Sequence, residues 1–201
     1  DNFESFIDDM IFFHQNDLIL KFINLSHSEK IIQQLIIKSI VYDNYQLFLF
    51  LNDVEKIDLK FKYDKNKGNI FSLLSNCSNI KFYEYLFNLT DQKLILEARD
   101  IYGQTPAHIA AIKGNLLLLK FLVEKKVNIE SLAFDDLTPL HFACMYGQYE
   151  IVKFITSLPS INVNCLDRYK QTPLAKACIT NNLNTLKIVE HLLNNIFVKC
   201  N

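Results

Sequence analysis

The sequence lacks the features that mark several classes of protein. Five cysteines in 201 residues make an odd number, and no Cys-x-x-Cys pair occurs, so no zinc or redox site of that spacing is indicated. We therefore expect reduced thiols in an intracellular, cytoplasmic protein. No apolar run reaches the roughly 18 to 20 residues that a membrane-spanning helix needs. The sequence thus predicts no direct insertion into a membrane.

An excess of charge of one sign is also missing. Lys and Arg total 21 and Asp and Glu total 22, which gives a net charge of −1. Without a basic field to hold a polyanion, we expect no nucleic acid partner. The sequence contains no His-Glu-x-x-His, no Gly-x-Ser-x-Gly and no phosphate-binding loop. We therefore expect a protein that is not an enzyme and that needs no cofactor and no metal.

Proline is scarce, and three of the four prolines recur with a fixed period. Pro106, Pro139 and Pro173 each follow a threonine and are 33 and then 34 residues apart. Proline is tolerated in the first turn of a helix, and a preceding threonine can cap that helix with its hydroxyl group. A period of this length is typical of stacked supersecondary repeats, whose single units cannot bury their own apolar faces.

The four glycines fall at only two places in this period. Gly68 and Gly103 lie before the helix that Thr-Pro opens or would open, and Gly114 and Gly147 lie after it. Both places require a backbone with positive φ, the first in a hairpin tip and the second between antiparallel helices. At the equivalent positions of other repeats, where we expect the same backbone, the residues are Asp136, Lys170 and Asn181.

The earlier part of the chain keeps only the helix-turn-helix rhythm. The apolar spacing predicts one helix pair over 3–25, a second over 28–51 and a third with helices near 71–77 and 80–88. In the later units, pairs of small residues at 110–111, 143–144 and 177–178 allow neighbouring units to approach closely. Cys144 and Cys178 belong to these pairs, and we expect both to be buried.

The later units resemble the ankyrin repeat family, whose unit reads approximately Asp-x-x-Gly-x-Thr-Pro-Leu-His-x-Ala-Ala-x-x-Gly. The residues that carry the resemblance are 100–114, 138–147 and 167–177. It implies an all-α solenoid of antiparallel helix pairs with short β-hairpin-like finger loops and degenerate N-terminal repeats. We expect one domain over 1–201, with two degenerate repeats in 1–67, a third in 68–102, and clear repeats at 103–135, 136–169 and 170–201.

The same resemblance implies roles for particular residues. His108 and His141 are expected to tie backbone groups together across the loops rather than to bind metal or catalyse. Members of the family usually bind proteins through the finger tips, the end of each first helix and the concave face that the first helices line. The partner-binding residues predicted at these places are Ile101, Tyr102, Gln104, Ile112, Lys113, Phe134, Asp135, Leu137, Met145, Tyr146, Arg168, Tyr169 and Gln171.

Three alternatives to a partner-binding face stay open at this stage. The apolar tips could pack on one another. The chain could instead be the regulatory or targeting part of a larger enzyme or channel, packing on a domain outside this chain. A third alternative is end-to-end self-assembly, although we expect the protein on its own to be a monomer.

Overall fold

A computed structural model describes residues 9, 17–19, 21, 29–55, 79–89, 95–180 and 183–199. The chain divides into two compact units, 1–90 and 91–201. Within the described ranges every regular element is helical and no strand occurs, which confirms the all-α class. Most of the predicted helix pair at 3–25, all of the helix at 71–77, and the glycine-type positions Gly68 and Asn181 lie outside the described residues; the residues of that pair that are described, 9, 17–19 and 21, are helical.

The first unit contains helices α1 (Glu29–Val41), α2 (Tyr45–Glu55) and α3 (Lys81–Leu89). The predicted break between α1 and α2 is present, because Asp43 has a φ of 57° and the Asn44 side chain accepts a 3.1 Å hydrogen bond from the Leu47 N–H. The ring of Phe48 meets that of Phe82 edge to face at 5.0 Å. The helix pair at 28–51 and the helix near 80–88 are therefore confirmed.

The second unit contains three helix pairs in chain order. They are α4 (Pro106–Lys113) with α5 (Leu116–Glu124), α6 (Pro139–Met145) with α7 (Tyr149–Ser157), and α8 (Pro173–Ile179) with α9 (Thr185–Lys199). The first helices pack in the order α4, α6, α8, and the second helices in the order α5, α7, α9. A short 3-10 turn, Phe134–Asp136, precedes α6.

The Thr-Pro pairs begin the first helices as the sequence predicts. Each proline occupies the start of its helix, where its missing N–H would have no partner. The hydroxyl of Thr172 accepts from the Ala175 N–H at 3.2 Å, and that of Thr138 accepts from the His141 N–H at 3.4 Å. The hydroxyls of Thr105 and Thr138 also lie 2.9 and 3.0 Å from Nδ1 of His108 and His141. The capping prediction is confirmed for α6 and α8.

The turn positions have the positive φ that the glycine pattern predicts. Gly103, Gly114 and Gly147 lie at φ between 68° and 71°. Asp136 and Lys170, which replace glycine, lie at 58° and 61°. The chain therefore keeps one turn geometry even where the side chain disfavours it.

The small residues pack tightly between repeats, with one exception. Ala111 and Cys144 are completely buried, and burial raises the pKa of the Cys144 thiol. The prediction that Cys178 is buried was wrong, because this thiol is exposed. Residues 111, 144 and 178 occupy one position of the repeat, and only the first two have a described repeat after them to cover it.

Two further observations concern the chain as a whole. None of the helices in the described part of the chain is long and apolar enough to cross a membrane. The assignment of a single domain with repeat boundaries at 67, 102, 135 and 169 stays a prediction, since stacked repeats contact mainly their neighbours and a division into compact units does not test it.

Candidate functional site

Three loops of the second unit form finger tips that precede the first helices. We name them tip 1 (100–104), tip 2 (133–137) and tip 3 (167–171). In each tip the first residue donates its N–H to the carbonyl of the last, at 3.0 Å in tip 1, 2.9 Å in tip 2 and 3.0 Å in tip 3. This closure confirms the hairpin-like loops.

An aspartate stabilises tips 1 and 3. Oδ1 of Asp100 accepts hydrogen bonds from the N–H groups of Tyr102 and Gln104 at 2.9 and 2.8 Å. Oδ1 of Asp167 accepts from Tyr169 and Gln171 at the same distances. Such local bonds hold a turn without help from neighbouring strands.

A buried ion pair reinforces tip 3. Oδ2 of Asp167 lies 2.7 Å from Nζ of Lys176 on α8, and the carboxylate is completely buried. Burial raises the pKa of Asp167, but Lys176 and the two N–H donors outweigh it and lower the pKa overall. The carboxylate is therefore held ionised where it fixes the tip to the helix behind it.

Tip 2 is built differently, because Ala133 stands where the other tips have aspartate. Its turn depends on two consecutive residues with positive φ, Asp135 and Asp136, both at 58°. Aspartate tolerates this region better than most residues but still less well than glycine. Tip 2 therefore has two residues in this region, whereas tips 1 and 3 have one each, Gly103 and Lys170.

Neighbouring tips are joined through their backbones. The N–H of Phe134 donates to the Tyr102 carbonyl at 3.0 Å, and the N–H of Arg168 donates to the Asp135 carbonyl at 2.9 Å. The Phe134 ring also packs on Gly103, where an added Cβ would lie 3.1 Å from it. The tips therefore contact one another through their backbones, as that alternative states, and these contacts fix the register of the tips.

One buried histidine on α4 and one on α6 fasten these helices to the tip that follows each of them. Nε2 of His108 lies 3.0 Å from the Leu137 carbonyl, and Nε2 of His141 lies 3.1 Å from the Gln171 carbonyl. Nδ1 of each ring accepts the N–H of the capping threonine, Thr105 or Thr138, at 3.1 and 3.2 Å. These contacts require a neutral imidazole with its hydrogen on Nε2.

Burial agrees with that protonation state. It lowers the pKa of His108 to about 4, against the opposing effect of the hydrogen-bonded carbonyl, and it lowers the pKa of His141 as well. A neutral, fully enclosed imidazole that holds a backbone carbonyl is a structural element. The prediction that both histidines tie the loops together is confirmed.

The predicted binding residues are displayed to different degrees. Four aromatic residues are well exposed, with 58% of Tyr102, 64% of Phe134, 52% of Tyr146 and 63% of Tyr169 accessible; we name these four the aromatic row. Ile101, Lys113 and Arg168 are also exposed. The half-buried residues of the predicted set are Gln104, Ile112, Asp135, Leu137, Met145 and Gln171.

Buried or charged groups support the exposed rings from behind. The ring of Tyr146 stacks on Phe142 with 6.5 Å between centroids, and Phe142 in turn meets His108 edge to face at 5.7 Å. Nζ of Lys176 lies 5.9 Å from the Tyr169 ring centroid. The two rings are therefore attached to the same elements that fix the repeat.

Charge on the tips is mixed and weakly paired. Arg168 and Asp135 approach to 3.6 Å, and 70% and 41% of their side chains are accessible to solvent. A pair of this kind contributes little to stability, so both groups can exchange it for another partner.

Sequence reasoning did not single out two exposed leucines next to the tips. Leu132 and Leu166 immediately precede tips 2 and 3 and are about half exposed. By the repeat offset both leucines align with Arg99, and this shared position before each tip is the signal that could have identified them. That guanidinium donates from Nη1 to the carbonyls of Gly103 and Leu132, at 2.7 Å each, and so fixes the approach to tip 1.

Within the described ranges, no group of three or more His, Cys, Asp or Glu side chains is placed to hold a metal ion. His191, on α9, lies 2.8 Å from the Thr156 hydroxyl on α7 and so belongs to the packing between repeats.

The sequence matches the model of a known protein family. A family model described as "Ankyrin repeats (3 copies)" matches residues 65–167 and 129–201, which together span about two thirds of the chain. No curated protein matches the sequence.

Proposed function

Because this chain belongs to the ankyrin repeat family, we propose that it is a non-enzymatic scaffold that binds a partner protein through its finger tips and the concave face of its first helices. Ankyrin repeats are generally protein–protein interaction modules. The aromatic row is the observation that carries the proposal. Four large aromatic side chains stay exposed along the tips and the end of one first helix.

The composition of this surface suits protein recognition. Tyrosine and arginine are enriched at the residues that contribute most to binding energy, and aromatic residues with methionine are enriched in interfaces. The row is flanked by the apolar Ile101 and Leu137 and by the exposed Arg168. A partner that buries the rings would also contact apolar area and the charge of Arg168, which its weak pairing with Asp135 leaves available.

Rigidity supplies the mechanism. The tips are joined by backbone hydrogen bonds, aspartates close tips 1 and 3, and histidines hold tips 2 and 3. Binding to such a surface requires little ordering of the receptor, so less of the interaction energy is lost to entropy. The ends of the first helices, with Ile112 and Met145 half-buried, would form the floor of the site.

The residues whose types could suggest catalysis have structural roles. His108 and His141 hold carbonyls, and Cys144 is enclosed in the packing between repeats. Ankyrin repeat domains are typically non-catalytic.

We also propose a cytoplasmic location. The described cysteines Cys144, Cys165 and Cys178 are free thiols, and a reducing compartment keeps thiols in this state.

Affinity capture from the native cell with quantitative mass spectrometry tests the binding face. The test variant replaces Tyr102, Phe134 and Tyr146 with serine. Its matched control replaces Val41 and Leu117, which are exposed to a similar degree on α1 and α5, with serine. We expect the control to retain the captured protein and the test variant to lose it.

Folding is checked by far-ultraviolet circular dichroism and thermal melting, which should be nearly the same for both variants because the replaced side chains are largely exposed. Equal capture by the folded test variant would contradict the proposed face. Loss of capture in both variants would show that the effect is not specific to the proposed face and would also contradict the proposal. If the only captured polypeptide were encoded by the same reading frame as this chain, the regulatory-domain alternative would be favoured over the scaffold.

A further inference from the structure

The proposed binding side differs in its accessible charge from the second helices of the same repeats. Four exposed bases lie just before tip 1, at the end of α4 or in tip 3: Arg99, Lys113, Arg168 and Lys170. The acids of tip 2 are fewer and less accessible, since Asp136 is exposed and Asp135 is half-buried. A partner that approaches this side therefore meets mainly positive charge, although the net charge of the chain is −1.

The acids of tips 1 and 3 are engaged within the fold. The carboxylate of Asp100 accepts two N–H groups of its own tip, and the carboxylate of Asp167 is completely buried against Lys176. Arg99 also has an internal role, but its hydrogen bonds go to carbonyl groups, which leave its charge uncompensated. The acids are therefore used to hold the turns, while the bases remain accessible.

The second helices show no such excess of bases. Among their described side chains, three exposed bases are matched by three exposed acids: Lys120, Lys153 and Lys187 against Glu124, Glu150 and Glu190. An even mixture of both signs is usual for a solvated face. The excess on the binding side is therefore not shared by the second helices.

The sign of the accessible charge alternates along the three tips. Arg99 and Lys113 lie on either side of tip 1 in the sequence, and tip 3 carries Arg168 and Lys170. Tip 2 lies between them, and its exposed charge is the acid Asp136. The backbone hydrogen bonds between successive tips fix this order. The surface is therefore basic at both ends and acidic at its middle tip.

Apolar side chains accompany the charges in the middle repeat. Phe134 and Tyr146 of the aromatic row are exposed there, and Leu137 and Met145 are half-buried. A ligand that reaches from one basic end to the other therefore passes over apolar area.

The packing of the first helices sets the distance between the two basic ends. The helices α4, α6 and α8 pack in that order. Packed helices lie about 8–10 Å apart, so the first and third of them are roughly 16–20 Å apart. An extended chain rises about 3.3 Å per residue, so about five to six residues span this distance.

We propose that the partner presents to this surface an extended segment with an acidic residue at each end and apolar residues between them. One acid lies against Arg168 and Lys170, the other lies against Arg99 and Lys113, and the apolar residues cover the aromatic row. Asp136 repels an acid placed between the two ends. This inference rests on the proposed function, because it names the kind of partner segment that the same face binds.

A nucleic acid is the other ligand that a surface with bases and aromatic rings suggests. Its backbone carries a phosphate at every nucleotide, so it would bring negative charge against Asp136 as well as against the bases. The alternation of charge along the tips therefore favours a peptide segment.

Selection from a displayed library of random peptides, each about twelve residues long and so about twice the expected span, tests the proposal on the full chain. We expect the enriched peptides to carry two Asp or Glu residues about five to six positions apart with apolar residues between them. Reversing the charge of tip 3 with Arg168→Glu and Lys170→Glu should replace one of these acids by Lys or Arg in a second selection. The same variant should bind a peptide selected on the wild-type protein at least about tenfold more weakly, measured by fluorescence anisotropy.

The matched control reverses two exposed bases of the second helices, with Lys153→Glu and Lys187→Glu, and so changes the net charge equally. It should select and bind the same peptides as the wild-type protein, and circular dichroism checks that both variants fold. No enrichment of acids, an equal loss of binding in the control, or displacement of the peptides by single-stranded RNA would overturn the proposal.

A third variant separates failure of this inference from failure of the proposed function. It replaces Tyr102, Phe134 and Tyr146 with serine. Enriched peptides that lack acids but are lost by this variant would overturn the inference and leave the binding face supported. Acidic peptides that this variant binds as tightly as the wild-type protein would contradict the binding face itself, and with it the inference.

Discussion

Acidification should destabilise this fold between pH 6.5 and pH 4, with the loss beginning above the range in which carboxylates usually titrate. The cause is His108, which is completely buried with its Nε2 on the Leu137 carbonyl and its Nδ1 accepting the Thr105 N–H. Protonation would add a hydrogen to the nitrogen that now accepts one, and would place a charge in the packed region between two repeats.

The pKa of His108 gives the size of the effect. Its value is about 4 in the folded protein and about 6.5 in an unfolded chain. Because the folded-state pKa is the lower one, the unfolded chain binds the extra proton between these values. The stabilisation is therefore complete above pH 6.5 and is lost as the pH falls toward 4. At 1.36 kcal/mol per pH unit, the full loss is roughly 3 kcal/mol, of which about 1.4 kcal/mol is reached at pH 5.5.

Urea unfolding followed by circular dichroism at pH 7.5 and pH 5.5 measures this loss. We expect the wild-type free energy of unfolding to fall by at least that amount, because the pKa of His141 is lowered too. His108→Gln should be less stable at pH 7.5 but should lose less on acidification. Equal pH dependence in the two proteins would refute the reasoning, as would a His108 imidazole that titrates near pH 6.5 by nuclear magnetic resonance.

Four substitutions test the tips and the turn after α4, each by the free energy of unfolding in urea. Lys170→Gly should stabilise the protein by about 0.5–1 kcal/mol, since it relieves a lysine at φ 61°; destabilisation would contradict this. Asp167→Ala should cost about 3–5 kcal/mol by leaving a lysine partly buried and unpaired, whereas Asp135→Ala should cost less than about 1 kcal/mol, and similar losses would be the contrary result. Gly114→Ala should cost about 1–3 kcal/mol, because φ is 71° and the new Cβ would collide with the Gln148 carboxamide; unchanged stability would argue against that turn geometry.

Much of the second unit could be predicted because its constraints are local. Proline, glycine and the capping threonine specify backbone conformations that depend on few neighbours, so Thr138, Pro139 and Gly147 predict the start and end of α6 directly. Lys170 shows the limit of such reasoning. It adopts the glycine-like backbone because Asp167 and the neighbouring tips hold the turn, and a single residue type does not reveal that support.

Long-range contacts explain what the sequence did not predict. Cys178 looks like Cys144 along the chain, but only Cys144 has a helix pair stacked on it, so one is exposed and the other buried. The same reason applies to Leu132 and Leu166, whose exposure depends on how successive loops lie together. The exposed fraction of each ring in the aromatic row likewise depends on the side chain on which the ring packs, as Tyr146 packs on Phe142, and the sequence does not reveal these contacts.

Site-specific photo-crosslinking tests most directly whether the tips and first-helix ends bind the partner. A benzophenone amino acid is placed at Tyr146, in the aromatic row, or at the exposed Leu117 on α5, and each protein is irradiated in extract of the native cell. The binding proposal predicts that one partner polypeptide is crosslinked from position 146 and not from position 117. Crosslinking of that partner from 117 alone, while it is still captured by the protein carrying the probe at 146, would contradict it.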